Sequence, residues 1–213
     1  MKKLKVLGIG FACALLLSAC DSSDNNVTVS SSAAPEQSEV VESTVAEQKE
    51  EKETASEVGK RSNPVKLGET ATFDTTYYNN DGDPLDANLS ITLSNVIRGQ
   101  EALDYLMAAN EFNAAPPEGQ EWVIVDVALV VNKGDADVPY YEMGIFTPIS
   151  SSGEEVSQAE YPSFANGEDF GNVDLYEGAN TTGKFGFLTK IDDETILEYT
   201  GADFNTSVFF SLK

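Results

Sequence analysis

Among its 213 residues the chain has no histidine and only two cysteines, Cys13 and Cys20. Ser-His-Asp and Cys-His catalysis both need an imidazole base, so neither scheme is open to it. Zinc sites built on imidazole fall for the same reason. Positive charge is scarce as well: 13 Lys and Arg stand against 36 Asp and Glu, a formal charge of −23. Nucleic-acid recognition rests on Lys and Arg neutralising phosphate, so that partner class is excluded. Direct adhesion to anionic lipid is disfavoured by the same sign of charge. Cationic partners stay open, and so does the plainer reading of a solvated acidic surface.

Long hydrophobic runs are missing too. The basic opening Met1-Lys2-Lys3-Leu4-Lys5 is followed by an uncharged run from Val6 to Ala19. A membrane-spanning helix needs roughly 20 apolar residues, and this run is shorter and ends in small side chains. Residues 1–19 are therefore predicted to be a signal peptide and not a permanent span. The end of the run, Leu17-Ser18-Ala19-Cys20, resembles the bacterial lipobox. That resemblance implies cleavage before Cys20 and acylation of its sulfur with palmitate-type chains. Two acyl chains give stable anchoring where one is marginal. Loss of Cys13 with the signal leaves Cys20 as the sole cysteine, which excludes an internal disulfide and a free-cysteine nucleophile. Loss of Lys2, Lys3 and Lys5 takes the formal charge from −23 to −26.

Residues 20–62 combine the lipidated Cys20 with an acidic Ser/Glu-rich stretch that has no aromatic residue. Such a composition cannot bury enough apolar surface to offset its ordering entropy, so the stretch is predicted to be a disordered tether. As a random coil it would reach about 35 Å and lift a domain off the membrane.

Residues 63–213 are enough for one core. Lys66–Phe73 reads as a first strand, and Tyr77-Tyr78-Asn79-Asn80-Asp81-Gly82-Asp83-Pro84 as a turn cluster with Asp81-Gly82 as its tight turn. Leu89, Ile91 and Leu93 alternate with Ser90, Thr92 and Ser94, the pattern of a strand with one wet face. Gly99 ends it. Ala102, Leu103, Leu106 and Met107 then fall at helical spacing, which predicts a short helix over 100–110, placed over an open end of the sheet. Residues 122–131 (WVIVDVALVV) are apolar on both faces and read as a central strand. Further short strands are expected at 145–149, 155–158, 174–176, 183–189, 196–199 and 207–212, with turns at Ser150–Gly153 and Asp192–Glu194. Many short strands with close turn signals and one helix predict a mainly β, antiparallel β-sandwich, with a partly closed barrel as the alternative.

Several loop residues recur in a familiar order: Asn63-Pro64 with Gly68-Glu69 and Phe73; Val96-Ile97-Arg98-Gly99; Asn110, Phe112-Asn113, Pro116 and Gly119; and Leu175-Tyr176-Glu177-Gly178 with Thr181 and Gly183. In this, residues 63–213 resemble a family of Gram-positive cell-surface lipoproteins that carry an immunoglobulin-like domain of unknown function. The resemblance implies an immunoglobulin-like β-sandwich on the outer face of the cell membrane. It brings no catalytic or binding residues with it.

Oxygen chemistry is what survives. Ca²⁺ takes six to eight oxygen ligands, and Asn79, Asp81, Asp83 and Asp86 concentrate such groups in one stretch. It departs from the EF-hand pattern, since Tyr77 stands where that loop needs Asp, and Asn, Asp and Gly are also what any exposed hairpin uses. Asn166-Gly167-Glu168-Asp169 is a second acidic loop. Asp126 is the one charge in its strand, so it must be paired, protonated or on a wet face; Arg98 and Lys133 are the candidate cations. Tyr140-Tyr141 and Tyr161-Pro162 with Phe164 are expected in loops, either as a recognition surface or as caps on the core. Together these features predict a non-enzymatic binding module, membrane-anchored through Cys20, with a protein, peptide or cell-wall partner and no cofactor beyond a candidate calcium. The alternatives are a glycan-processing enzyme that uses paired carboxylates, and a solute-binding component of a transporter.

Overall fold

The computed structural model describes residues 27–31 and 58–213, and the expected signal peptide (residues 1–19), Cys20 and residues 21–26 and 32–57 of the expected tether lie outside them. The chain order is β1 (Thr28–Ser31), β2 (Glu69–Tyr78), β3 (Pro84–Arg98), α1 (Gly99–Ala109), β4 (Gln120–Lys133), β5 (Tyr140–Glu142), β6 (Phe146–Ile149), β7 (Val173–Leu175), β8 (Asn180–Lys190), β9 (Ile196–Thr200) and β10 (Ser207–Ser211). Five strands form one sheet in the order β1-β2-β3-β4-β8, three form a second in the order β10-β9-β6, and β5 pairs with β7. Every named pair is antiparallel. The fold is a mainly β, antiparallel sandwich with one short helix, and not a closed barrel.

Period-two alternation builds the core. Phe73, Leu89, Ile91, Leu93, Val125, Val127 and Leu129 point inward from the large sheet and meet Leu197, Tyr199, Val208 and Phe210 of the small one. The outer face of the large sheet carries a polar ladder, with Thr70–Thr92 hydroxyls 2.7 Å apart and Thr72–Ser90 hydroxyls 2.8 Å apart. A bulge in β3 interrupts the alternation: the register with β4 shifts between Ser94 and Ile97, and Asn95 takes φ 47°. The extra residue flips the parity, so Val96 faces the core while Ile97 faces outward.

That flip adds Ile97 to a second apolar patch, which the regular alternation of β4 and β8 supplies. Ile97, Trp122, Ile124 and Leu188 stand on the outer face, where α1 covers them with Ala102 and Leu106. The helix therefore packs on a sheet face and not over an open end, because those outward apolar side chains need a cover. Asn113 ties its end down, donating to Leu106 O at 2.7 Å and Ser163 O at 2.9 Å and accepting from Ser163 N at 2.8 Å.

Strand β1 corrects the boundary of the expected tether. Thr28 pairs with Thr72 and Ser31 with Glu69, and Val27 is buried against the main core. A β-branched pair on one face, Val27 and Val29, suffices for a short edge strand, although the acidic composition around it hides the signal. The folded body also starts before Asn63, since Gly59 O accepts Phe209 N at 2.8 Å.

The β8 edge of the large sheet is covered by local devices. The Gln158 amide donates to Leu188 O and accepts Leu188 N at 2.7 Å, so one side chain mimics a strand against β8. Residues 155–158 accordingly make only an isolated bridge, Glu155 to Ile149, in place of the expected strand. Farther along β8, Lys184 N donates to Glu168 O at 2.6 Å and Phe170 N to Lys184 O at 3.0 Å. Blunted edges of this kind disfavour strand addition by another chain.

One semi-buried ion pair lends itself to a test. Arg98 Nη2 lies 2.7 Å from Glu121 Oε1, which also accepts Asp192 N at 2.9 Å, and Arg98 reaches Asp193 O at 3.0 Å. An Arg98→Met variant keeps the stem but leaves Glu121 buried without its cation. We expect it to lose about 2 kcal/mol in urea unfolding. A loss below the scatter of repeated curves would show that Asp192 N alone satisfies Glu121.

Candidate functional site

The bulge, α1 and the β8 edge loop converge on one groove. Asn95, thrown into a left-handed conformation by the bulge, donates Nδ2 to Asp126 Oδ2 at 2.7 Å. Lys184, opposite Asp126 in the β4–β8 register, places Nζ 2.6 Å from Asp126 Oδ1. Tyr105 of α1 lies under the same ammonium, 5.2 Å from ring centroid to Nζ, and its hydroxyl donates to Glu168 Oε2 at 2.8 Å. The groove measures about 390 Å³ and is lined by Ser94, Asp126, Gly167, Glu168, Gly183 and Lys184, among others. That volume lies within the range of small-ligand sites.

Gly183 lets this arrangement close. A Cβ there would lie 2.6 Å from the backbone N and Cα of Phe170, so any side chain would push the Glu168 loop off β8. Electrostatics follow the contacts. The hydrogen bond to Asp126 raises the Lys184 ammonium above its ordinary value, against partial burial that lowers it. Burial first, and the Glu168 hydrogen bond second, raise the Tyr105 phenol. Asp126 thus has both oxygens engaged, and Glu168 holds a phenol. An ammonium offers three donors, so Lys184 retains capacity for a ligand acceptor beyond Asp126.

Of the sequence candidates, Asp126 and Glu168 are brought together here. The cation on Asp126 is Lys184, not Arg98 or Lys133: Arg98 is committed to Glu121, and Lys184 lies directly across the ladder. Lys184→Met is expected to cost less than about 1 kcal/mol, because the pair is partly solvated and salt screens it. A double-mutant cycle with Asp126→Asn checks this, and a coupling of several kcal/mol would contradict it.

Asn79, Asp81, Asp83 and Asp86 are not gathered into a cage. Asn79 Oδ1 accepts the backbone N–H of Asp81 at 3.0 Å and of Asp83 at 2.8 Å, so its oxygen serves the turn. Asp86 lies on β3 opposite Thr76, beyond the turn. Among the described residues no group of three or more Asp, Glu, His or Cys side chains is placed to hold a metal. Tyr140 is buried in β5 and not in a loop, Phe164 packs against the helix cluster, and Tyr141 and Tyr161 are exposed.

Sequence reading missed a buried network between the sheets. Glu142 is 1% exposed and accepts Tyr199 Oη at 2.7 Å and Gly144 N at 2.6 Å. Tyr140 Oη lies 3.1 Å from Tyr199 Oη and accepts Ala202 N at 3.2 Å. Burial raises the Glu142 carboxyl above its ordinary value, and no cation contacts it among the described residues. The available signal was the alternation of Tyr140 and Glu142, which share one face once 140–142 is a strand.

No protein-family model and no curated protein matches the chain. Among solved structures it is similar to the yjhA protein from Bacillus subtilis at 12% identity and a TM-score of 0.43, over 70% of this chain and 99% of that one.

Proposed function

We propose that the chain is an extracellular lipoprotein, anchored in the outer face of the cell membrane through acylated Cys20, whose sandwich is a non-enzymatic binding module. The observation that carries the binding role is the open groove in which Lys184, Asp126, Glu168 and Tyr105 meet. Its charges compensate one another and the β8 edge beside it is blunted, which favours recognition of a polar peptide or wall fragment by side chains in the groove. A combined Asp126→Asn and Lys184→Met variant removes both charges while leaving the core intact. Titrated with soluble wall fragments and with cationic and acidic peptides, it should bind about tenfold more weakly than the parent at an unchanged melting temperature, the size expected for losing one charged hydrogen bond. Binding by the parent that is untouched in the variant would sink the groove reading.

A second reading has one observation behind it, since Asp126 and Glu168 are two carboxylates on the same groove. A glycosidase would use one as acid and the other as nucleophile or base. Both are already engaged by protein donors, which favours binding. New reducing ends after incubation with cell-wall glycans would decide for the enzyme. Anchoring has its own test: Cys20→Ser should move the protein from the membrane fraction to the soluble one and abolish incorporation of labelled palmitate.

A further inference from the structure

We infer that acylated Cys20 moors the sandwich directly against the bilayer, its β2–β3 turn facing the lipid, and that residues 32–57 are not the spacer. This rests on the proposed acylation and adds the placement of the domain. The observation is β1. Its four residues pair with Glu69–Thr72 in the large sheet, and Val27 is 3% exposed, packed so closely on Gly59 that an added Cβ there would meet it at 3.0 Å. The chain is therefore already part of the folded body seven residues after Cys20. Ser31 and Val58, which flank residues 32–57, both belong to the described body, so the length of that segment does not set the distance from anchor to domain.

Chain geometry sets the limit. Seven peptide steps from Cys20 to Val27 span at most about 24 Å, even fully extended. Because β1 runs antiparallel to β2, the chain approaches Val27 from the side of Tyr78 and the turn beyond it. From Phe73, the next position opposite β1, to Tyr78 is about 17 Å of strand. The 24 Å reach exceeds that 17 Å of strand by roughly 7 Å, so Cys20 has the length of chain needed to reach past the end of β2. Entry of the acyl chains into the bilayer at that end sets the Asn79–Asp83 turn next to the headgroups. The Ser150–Gly153 turn, tied to Asp193 by Ser151 N at 3.0 Å, belongs to the other end, with Arg98 and Glu121.

The test uses the full acylated chain in phosphatidylcholine vesicles doped with an energy-transfer acceptor lipid. With Cys20 acylated, a single introduced cysteine carries the donor dye, at Asp81→Cys or Ser152→Cys. Transfer should be stronger from position 81 than from position 152. A Gly/Ser insert of about 20 residues, adding roughly 25 Å of reach, is placed either after Ser23 or after Glu47. The insert after Ser23 should lower transfer from both positions at least about twofold, since the steep distance dependence meets a gap doubled from the 24 Å limit. The insert after Glu47 should change neither. Loss of transfer with the Glu47 insert, or equal transfer from positions 81 and 152, would overturn the mooring. A lipid-free measurement separates the two layers of the argument. In a Cys20→Ser chain, Thr28→Cys with Thr72→Cys should oxidise readily to a disulfide, and failure to do so would show that β1 is not seated. If the disulfide forms but Cys20→Ser stays in the membrane fraction, the acylation reading has failed and the mooring falls with it.

Discussion

Replacing Trp122 with alanine is expected to lower stability by about 3–5 kcal/mol, the largest loss from any single side chain considered. Its ring is 1% exposed between β4 and α1, in contact with the cluster of Ala102, Leu106, Ile124 and Leu188. Its indole N–H donates to Ala114 O at 2.9 Å, so truncation also strands a carbonyl in the loop after the helix. For a body of this size each kcal/mol moves the midpoint by about 2–4 °C, so a drop of roughly 6–20 °C should appear in calorimetry. Trp122→Phe keeps most of the volume and loses the hydrogen bond; it should cost about 1–2 kcal/mol. Because α1 also carries Tyr105, the alanine variant should lose groove binding in step with helix signal in circular dichroism. Trp122 is the chain's only tryptophan, so native emission should be blue-shifted and move red as this layer opens. An alanine variant within 1 kcal/mol of the parent would mean that α1 does not depend on this layer.

Titration of Glu142 gives the second large effect. Burial raises its carboxyl in the folded state, so the folded protein holds a proton that the unfolded chain has already released. In that window the folded state binds more protons, and stability must fall as pH rises. The contribution is full below the ordinary carboxylate range and is lost as pH climbs through the raised value, at up to about 1.4 kcal/mol per pH unit. Tyr140 and Tyr199 face the carboxyl, and their phenols, also raised by burial, stay protonated throughout. Asp193 works with the opposite sign. Partial burial pushes its carboxyl up, but hydrogen bonds from Ser151 and Thr195 outweigh that and hold it below its ordinary value, so its contribution is lost as pH falls.

Glu142→Gln isolates this carboxyl, because other titrations cancel in the difference from the parent. The parent's stability minus the variant's should decline as pH rises through the window and level off above it. A flat difference in urea unfolding across pH 4 to 8, roughly the span over which a raised carboxyl titrates, would show that Glu142 titrates normally. Tyr199→Phe removes the hydroxyl that donates at 2.7 Å and leaves the carboxylate to Gly144 N. It should cost about 1–3 kcal/mol, more at neutral pH than at pH 4.

What was legible in the residues follows the range of the physics. Alternation at 89–94 and helical spacing at 102–107 are local, and β3 and α1 appear there. Asp126 stood out because a charge in an apolar run violates its own neighbourhood. Its partner did not, since Lys184 lies 58 positions away and only the β4–β8 register brings it opposite. Glu142 looked like one more acidic residue in a chain that has 36. Its burial is decided by β5 pairing with β7 and by Tyr199 reaching across from β9. The acidic stretch after Cys20 looked uniform by composition, and a short strand of Thr, Val and Ser inside it gains its stability from β2 and Gly59, not from itself.

The sequence by itself determined the class of fold, the missing imidazole chemistry and the acidic character, because each follows from residue types and near neighbours. Only the tertiary structure decided which cation meets Asp126, which carboxyl is cut off from water, and where the chain after Cys20 first joins the folded body. Those outcomes depend on strand register and on burial between sheets, which are set by contacts among residues far apart in the chain.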